Sequence, residues 1–210
     1  MSGSIYKIIL IGDTGVGKST FLAYAGQGLG LPAYDAKEIM VSTPTVGVDF
    51  RSITIREPQP MRLHVWDTAG QEAFRSIVPY YFRAAAVALV FFDMYDEQTL
   101  RNIPGWLDTL LDEEDKMPTI LLVGNKSLSP HRGCDDILRS RVTEELISSM
   151  AQRYKADYVV ISVKENPSDA QVVISKVAEI ICEHQPAPTR ARPDALLDYE
   201  VKTKTCCQIL

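Results

Sequence analysis

The 210-residue sequence is poor in cysteine and histidine, has no long apolar run, and carries no excess of positive charge. Of its four cysteines, Cys134 and Cys182 stand alone while Cys206 and Cys207 are adjacent, so there is neither a disulfide framework nor a zinc-ligand spacing. The two isolated thiols are expected to pack in the interior or sit idle on the surface. His64, His131 and His184 lack partners at the spacing of a metal site or a nucleophile and its base, and are read as structural or solvent-facing. With 22 Lys plus Arg against 27 Asp plus Glu, a net charge of -5, the chain lacks the basic surface that phosphate-backbone binding needs, and no nucleic-acid partner is expected. Even a wholly apolar run such as Ala84 to Phe92 is far short of the roughly 20 apolar residues of a membrane-spanning helix. The start, Met-Ser-Gly-Ser-Ile-Tyr-Lys, has no basic head with a cleavage site and places Ser2 where myristoylation requires Gly, so a cytosolic compartment is expected.

What is present suits one compact domain: 46% of the residues are hydrophobic, enough for a real core. Tyr6 to Ile11 reads as a buried strand ending at Gly12. Ile53, Ile55, Met61, Leu63 and Val65 alternate with polar residues across Pro58 and Pro60, the pattern of a hairpin. Ala86 to Phe92, Thr119 to Val123 and Tyr158 to Ile161 are continuous apolar runs, as in parallel strands covered on both faces. Between them, Lys18 to Tyr24, Glu97 to Leu111, Val142 to Tyr154 and Ala170 to Cys182 place apolar residues at helical intervals. Alternating strands and helices predict an α/β fold: a doubly wound, mostly parallel six-stranded sheet with helices on both faces. The pattern stops at Glu183, dividing the chain into a domain over 1–183 and a proline-bearing tail over 184–210.

The first strand runs into Gly12-Asp-Thr-Gly15-Val16-Gly17-Lys18-Ser19-Thr20, a phosphate loop in its required place between strand and helix. Its chemistry follows from its residue types. Glycines let consecutive backbone N–H groups close on phosphate oxygens, and the helix start adds its dipole. Lys18 would neutralise the outer phosphates, and Ser19 would present a hydroxyl to Mg2+, a hard cation that prefers oxygen. A second string, Trp66-Asp67-Thr-Ala-Gly70-Gln71-Glu72, ends the hairpin. Asp67 can hold a magnesium-bound water, Gly70 can offer its N–H to a terminal phosphate, and Gln71 can orient an attacking water as the catalytic residue.

Together these strings resemble the Ras superfamily of small GTPases, phosphate-loop NTPases, and more narrowly its Rab branch. The resemblance runs from Ile5 to about Ile181 and includes Thr45-Val-Gly-Val-Asp-Phe50, Phe74-Arg-Ser-Ile, Tyr80-Tyr-Phe-Arg and Leu89-Val-Phe-Phe-Asp. It implies a GTP- and GDP-bound switch that hydrolyses GTP slowly, with Mg2+ held by Ser19, Thr45 and Asp67. It implies that Phe50, Trp66 and Tyr81 form the aromatic triad that effectors read. It also implies exchange-factor and GTPase-activating partners and a role in vesicular trafficking. Asn125 and Lys126, with Ser162, Val163 and Lys164, correspond to the family's base-reading motifs.

Three features depart from the family. Leu128 stands where the guanine-reading motif has Asp, so two charge-assisted hydrogen bonds to the base, about 1.5 to 3 kcal/mol each, are missing and weaker guanine preference is expected. Gly26 to Pro44 and Ser129 to Asp136 look like loop insertions; Tyr34 is the candidate to cover the base, and Asp135 or Asp136 could replace the missing carboxylate. Thr14 lies beside the expected position of the terminal phosphate, a common place for a small hydroxyl residue in the Rab branch. An alternative reading is a pseudo-GTPase scaffold with weakened guanine specificity.

The chain ends in Cys206-Cys207-Gln-Ile-Leu, whose last four residues fit a prenylation signal; the terminal Leu favours geranylgeranyl, and Cys206 offers a second attachment site. Four basic residues of the tail, Arg190, Arg192, Lys202 and Lys204, face three acidic ones, Asp194, Asp198 and Glu200, so attraction to anionic lipid is weak. Membrane residence would then rest on lipid at both cysteines or on a protein partner, with prenyltransferase and escort proteins implied and the chain cycling between cytosol and the cytoplasmic face of an intracellular membrane.

Overall fold

The computed structural model describes residues 4–25, 48–56, 58–68, 83–108, 110, 117–126 and 142–189. They form β1 (Ser4–Ile11), α1 (Lys18–Ala25), β2 (Val48–Ile55), β3 (Met61–Thr68), β4 (Val87–Asp93), α2 (Glu97–Arg101), α3 (Ile103–Asp108), β5 (Thr119–Asn125), α4 (Glu144–Tyr154), β6 (Asp157–Ile161) and α5 (Asp169–His184). The six strands make one sheet in the order β2-β3-β1-β4-β5-β6. β2 runs antiparallel to β3, with Ile55 opposite Met61 across the predicted turn, and the other pairings are parallel.

The apolar runs explain the sheet's centre. All seven residues of β4 are buried, because alternate side chains enter two cores. Leu89 and Phe91 join Phe21 of α1 and Val173, Val177 and Ile181 of α5 on one face. Val90 and Phe92 join Ile103, Trp106 and Leu107 of α3 and Ile147 of α4 on the other. The hairpin residues Ile53, Ile55, Met61, Leu63 and Val65 are all buried, as their alternation predicts.

Three details differ from the sequence expectation. The helix predicted over Glu97 to Leu111 is two short ones, broken at Asn102. Pro104 supplies no N–H to the preceding turn, and Asn102 closes α2 as its C-cap. Val142 precedes α4 instead of opening it, since the Thr143 hydroxyl caps the helix by accepting from the Leu146 amide at 3.4 Å. β6 is an edge strand with Tyr158 and Val160 exposed, so it is not covered on both faces. Beyond α5, which closes on Gln185 in the left-handed region, Thr189 returns to the sheet. Its amide donates to the Ile5 carbonyl at 2.7 Å and its hydroxyl accepts from the Lys7 amide at 3.0 Å.

The ring of Phe91, fully buried, packs 5.2 Å from that of Phe21 and couples β4 to α1. Phe91→Ala leaves a cavity that a sheet bounded on both faces cannot collapse, and should cost about 3 to 5 kcal/mol. Urea unfolding at fixed nucleotide concentration measures it; a midpoint within error of the parent would mean that this contact does not anchor the core.

Candidate functional site

The carboxyl ends of the parallel strands all lead to one edge of the sheet, where open α/β sheets bind their ligands. β1 ends at Ile11 and turns through the phosphate loop into α1; Leu10 lies opposite Asp67 of β3, and Asn125 at the end of β5 lies opposite Ile161 of β6.

The loop depends on glycine at two points. Gly12 has φ +134°, and a Cβ there would lie 2.3 Å from the Phe91 carbonyl oxygen. Gly17 has φ +99°, and a Cβ would lie 2.2 Å from Asn125 Nδ2. The second close approach lets Asn125 Nδ2 donate to the Val16 carbonyl at 2.9 Å, tying the predicted base-reading loop to the predicted phosphate loop. Val16 and Val163 are both 1% exposed and belong to the hydrophobic core. Their side chains therefore cannot meet a ligand, and any binding part they play is confined to backbone groups.

Lys18, 5% exposed, donates to the carbonyls of Gly12 at 2.8 Å and Asp13 at 2.7 Å. The hydroxyl of Ser19, in the first turn of α1, donates to Asp67 Oδ2. Two buried oxygens, Asp67 Oδ1 and Asn125 Oδ1, have no hydrogen-bond partner among the described residues. Lys126 and Ser162 meet: the Ser162 hydroxyl donates to the Lys126 carbonyl at 3.2 Å, and the Lys126 amide donates to the Ile161 carbonyl at 2.7 Å. The Lys126 and Lys164 side chains are exposed beside them, Gly15 is exposed in the glycine loop, and Thr20 is half-buried in the first turn of α1.

On the β2–β3 ribbon, Phe50 is 38% exposed, Trp66 is half-buried, and their rings pack 4.9 Å apart. His64 contacts Phe50 edge-on at 5.1 Å, so it is part of this aromatic surface, and burial with the charge of Arg62 lowers its pKa. Thr45, Gly70, Gln71, Tyr81, Leu128, Cys206 and Cys207 lie outside the described residues, as do both expected insertions with Tyr34, Asp135 and Asp136.

Sequence reasoning misses one contact of the site. The Asp13 carboxylate accepts from Asn102 Nδ2 and from Trp106 Nε1, both at 2.7 Å. The available signal is their spacing: Asn102 and Trp106 are four residues apart and so lie one above the other across the helix break.

Burial holds the Lys18 ammonium down at about 8, opposed by Asp67 and Asp13. Burial pushes the Asp67 carboxyl up to about 6, opposed by the Ser19 hydrogen bond and Lys18 and reinforced by Asp49. Native Asp67 thus keeps its proton up to about pH 6 while an unfolded carboxyl loses it near 3.8, so the native state binds more protons in that window and Asp67's share of stability falls as pH rises through it. Lys18 acts oppositely, adding stability from about pH 8 toward 10.5, where the unfolded state holds the extra proton. In nucleotide-free protein, Asp67→Asn should flatten the acid-side decline. Urea midpoints measured from about pH 4 to 6 test this, and parallel slopes in variant and parent would contradict the assignment.

Comparison with known proteins agrees with this geometry. The Ras family model matches residues 7–182. The chain is 34% identical over 179 residues to Ras-related protein RabC of Dictyostelium discoideum, covering 84% of each chain. It is 32% identical over 180 residues to Ras-related protein SEC4 of Candida albicans, covering 85% of this chain and 78% of the other. To Ras-related protein Rab-11A of Dictyostelium discoideum it is 31% identical over 202 residues, covering 95% and 86%. A six-stranded sheet with one antiparallel strand, a phosphate loop closing on a buried lysine and this matched span make the chain a member of the Ras family, a Rab-like small GTPase that binds GTP and GDP.

Proposed function

We propose that the chain is a membrane-attached Rab-like switch in vesicular trafficking, with the residues gathered at the carboxyl edge of the sheet as its nucleotide site. The observation that carries this is the pairing of a buried Lys18, folded back on its own loop's carbonyls, with the Ser19–Asp67 contact beside it. Lys18 and the N–H groups from Gly15 to Thr20 take the phosphates. Asn125, Lys126 and the Ser162-Val163-Lys164 loop frame the base.

The residues fit Mg2+, because Asp67 Oδ1 is a buried acceptor with no hydrogen-bond partner among the described residues and Ser19 adds a second hard oxygen, with Thr45 as the third contributor. When bound, the ion supplies neutralisation of the β- and γ-phosphate charge. Gln71 orients the attacking water, the Gly70 N–H holds the terminal phosphate, and Lys18 stabilises the charge that develops on it. GTP draws Thr45 and Gly70 toward the γ-phosphate, and effectors read that state through Phe50, Trp66 and Tyr81. The packed pair of an exposed Phe50 and a half-buried Trp66 supports that role, since aromatic anchors bind partners only where they are reachable. Prenyl groups on Cys206 and Cys207, added by a prenyltransferase and shielded by an escort protein, attach the tail to the membrane. Among the described residues no helix is long and apolar enough to cross one. The scaffold alternative gains no support from the site.

Two experiments test the reading. Gln71→Leu removes water orientation and spares phosphate contacts, so single-turnover phosphate release should slow by roughly tenfold or more while affinity for a fluorescent GTP analogue stays within about twofold. A variant as fast as the parent rejects Gln71 as the catalytic residue. Leu128→Asp restores the acceptor for guanine and should raise GTP-over-ATP preference by about 1 to 3 kcal/mol, or about 5- to 150-fold. Competition binding reads it, and an unchanged ratio means that the base is read elsewhere.

A further inference from the structure

We propose that Asn102 and Trp106 are positioning residues for the phosphate loop, holding it through the Asp13 carboxylate so that α2 and α3 set its grip on the nucleotide. This rests on the phosphate-loop reading above and extends it to a contact that the motif does not contain.

The loop has little stiffness of its own. Gly12, Gly15 and Gly17 all have positive φ, a conformation glycine leaves as readily as it enters. Asp13 sits among them, and its two carboxylate oxygens are each taken by a donor far along the chain: Oδ2 by Asn102 Nδ2 and Oδ1 by Trp106 Nε1, at 2.7 Å each. Both are short bonds to a carboxylate, an acceptor that binds donors more strongly than a neutral carbonyl does. The main-chain oxygen of the same residue accepts from Lys18 Nζ at 2.7 Å. Whatever fixes Asp13 therefore also fixes the carbonyl on which the phosphate-binding ammonium rests.

The donors are rigid. Trp106 is 1% exposed and packed in the core. The Asn102 amide is oriented by Gln98 Nε2, which donates to Asn102 Oδ1 at 2.9 Å and leaves Nδ2 for Asp13. Asn102 closes α2 just before Pro104, and the Trp106 amide donates to the Asn102 carbonyl at 3.3 Å, so both side chains project from the joint between the helices. α2 is tied to the end of β4, where the Asp93 amide donates to the Thr99 hydroxyl at 2.9 Å and Asp96 caps the helix by accepting from the Gln98 amide. The tether thus connects the loop to the most buried strand of the sheet.

Removing either donor frees the loop to leave its phosphate-binding shape, which should speed release of a fluorescent GDP analogue on the order of tenfold, the consequence of about 1.4 kcal/mol. Base reading is untouched, so the GTP-over-ATP preference should stay at the parent's value. Release is measured on the full chain for Asn102→Ala, Trp106→Phe, Asp13→Ala, the double variant Asn102→Ala/Asp13→Ala, and Lys18→Ala. The double variant should release no faster than Asp13→Ala alone, because both changes cut one tether. Asn102 is partly exposed and carries the test even if Trp106→Phe fails to fold. Parent-like release in Asn102→Ala, with fast release in Lys18→Ala, overturns the tether while leaving the phosphate loop in place. Multiplying effects in the double variant, or a fall in base preference, overturn it as well, since Asn102 would then act by another route. Parent-like release in Lys18→Ala rejects the phosphate loop itself, and the tether with it.

Discussion

The structure turns on a buried positive charge. Lys18 is 5% exposed, and its ammonium rests on two backbone carbonyls at the end of β1. Carbonyl dipoles only partly replace water around an ion, which is why burial brings its pKa down to about 8. A fold keeps such a group when an anion completes it, and the polyphosphate of a nucleotide is the anion that a family of GTP-binding proteins supplies. Asp67 is likewise a charged group in the interior, with one oxygen on Ser19 and the other without a hydrogen-bond partner among the described residues. A buried ammonium and a buried carboxylate thus stand close enough to interact at the same edge of the sheet.

The sheet makes this arrangement possible. Parallel strands bring β1, β3, β5 and β6 to a common edge, and the two cores on either face hold that edge still. Gly12 lets the loop pass beneath the Phe91 carbonyl, and Gly17 lets it touch Asn125, so the loop is pressed against β4 on one side and the end of β5 on the other. The Asn125 amide, bonded to the Val16 carbonyl, joins the end of β5 directly to the loop.

Much of this is legible in the sequence because short-range rules govern it. The runs at Tyr6, Ala86 and Thr119 are strands since their side chains have a core on both sides, and the phosphate loop is recognisable because its glycines answer to a backbone requirement at fixed spacing. Asp13 shows where legibility ends. It stands at a free position of the motif, and its partners lie 89 and 93 residues away, a pairing that only the sheet order creates. The break at Asn102 is visible through Pro104, but apolar periodicity from Leu100 to Trp106 continues across it and masks it. The exposure of β6 follows from its place at the sheet edge, which its apolar sequence conceals.

The most direct measurement is to identify, by mass spectrometry, the nucleotide that co-purifies with the full chain and with its Lys18→Ala variant. A site completed by polyphosphate should carry close to one guanine nucleotide per chain, lost when the buried ammonium is removed. Parent protein that emerges free of nucleotide, or a Lys18→Ala variant that retains it in full, would contradict the claim that this buried charge exists to be met by phosphate.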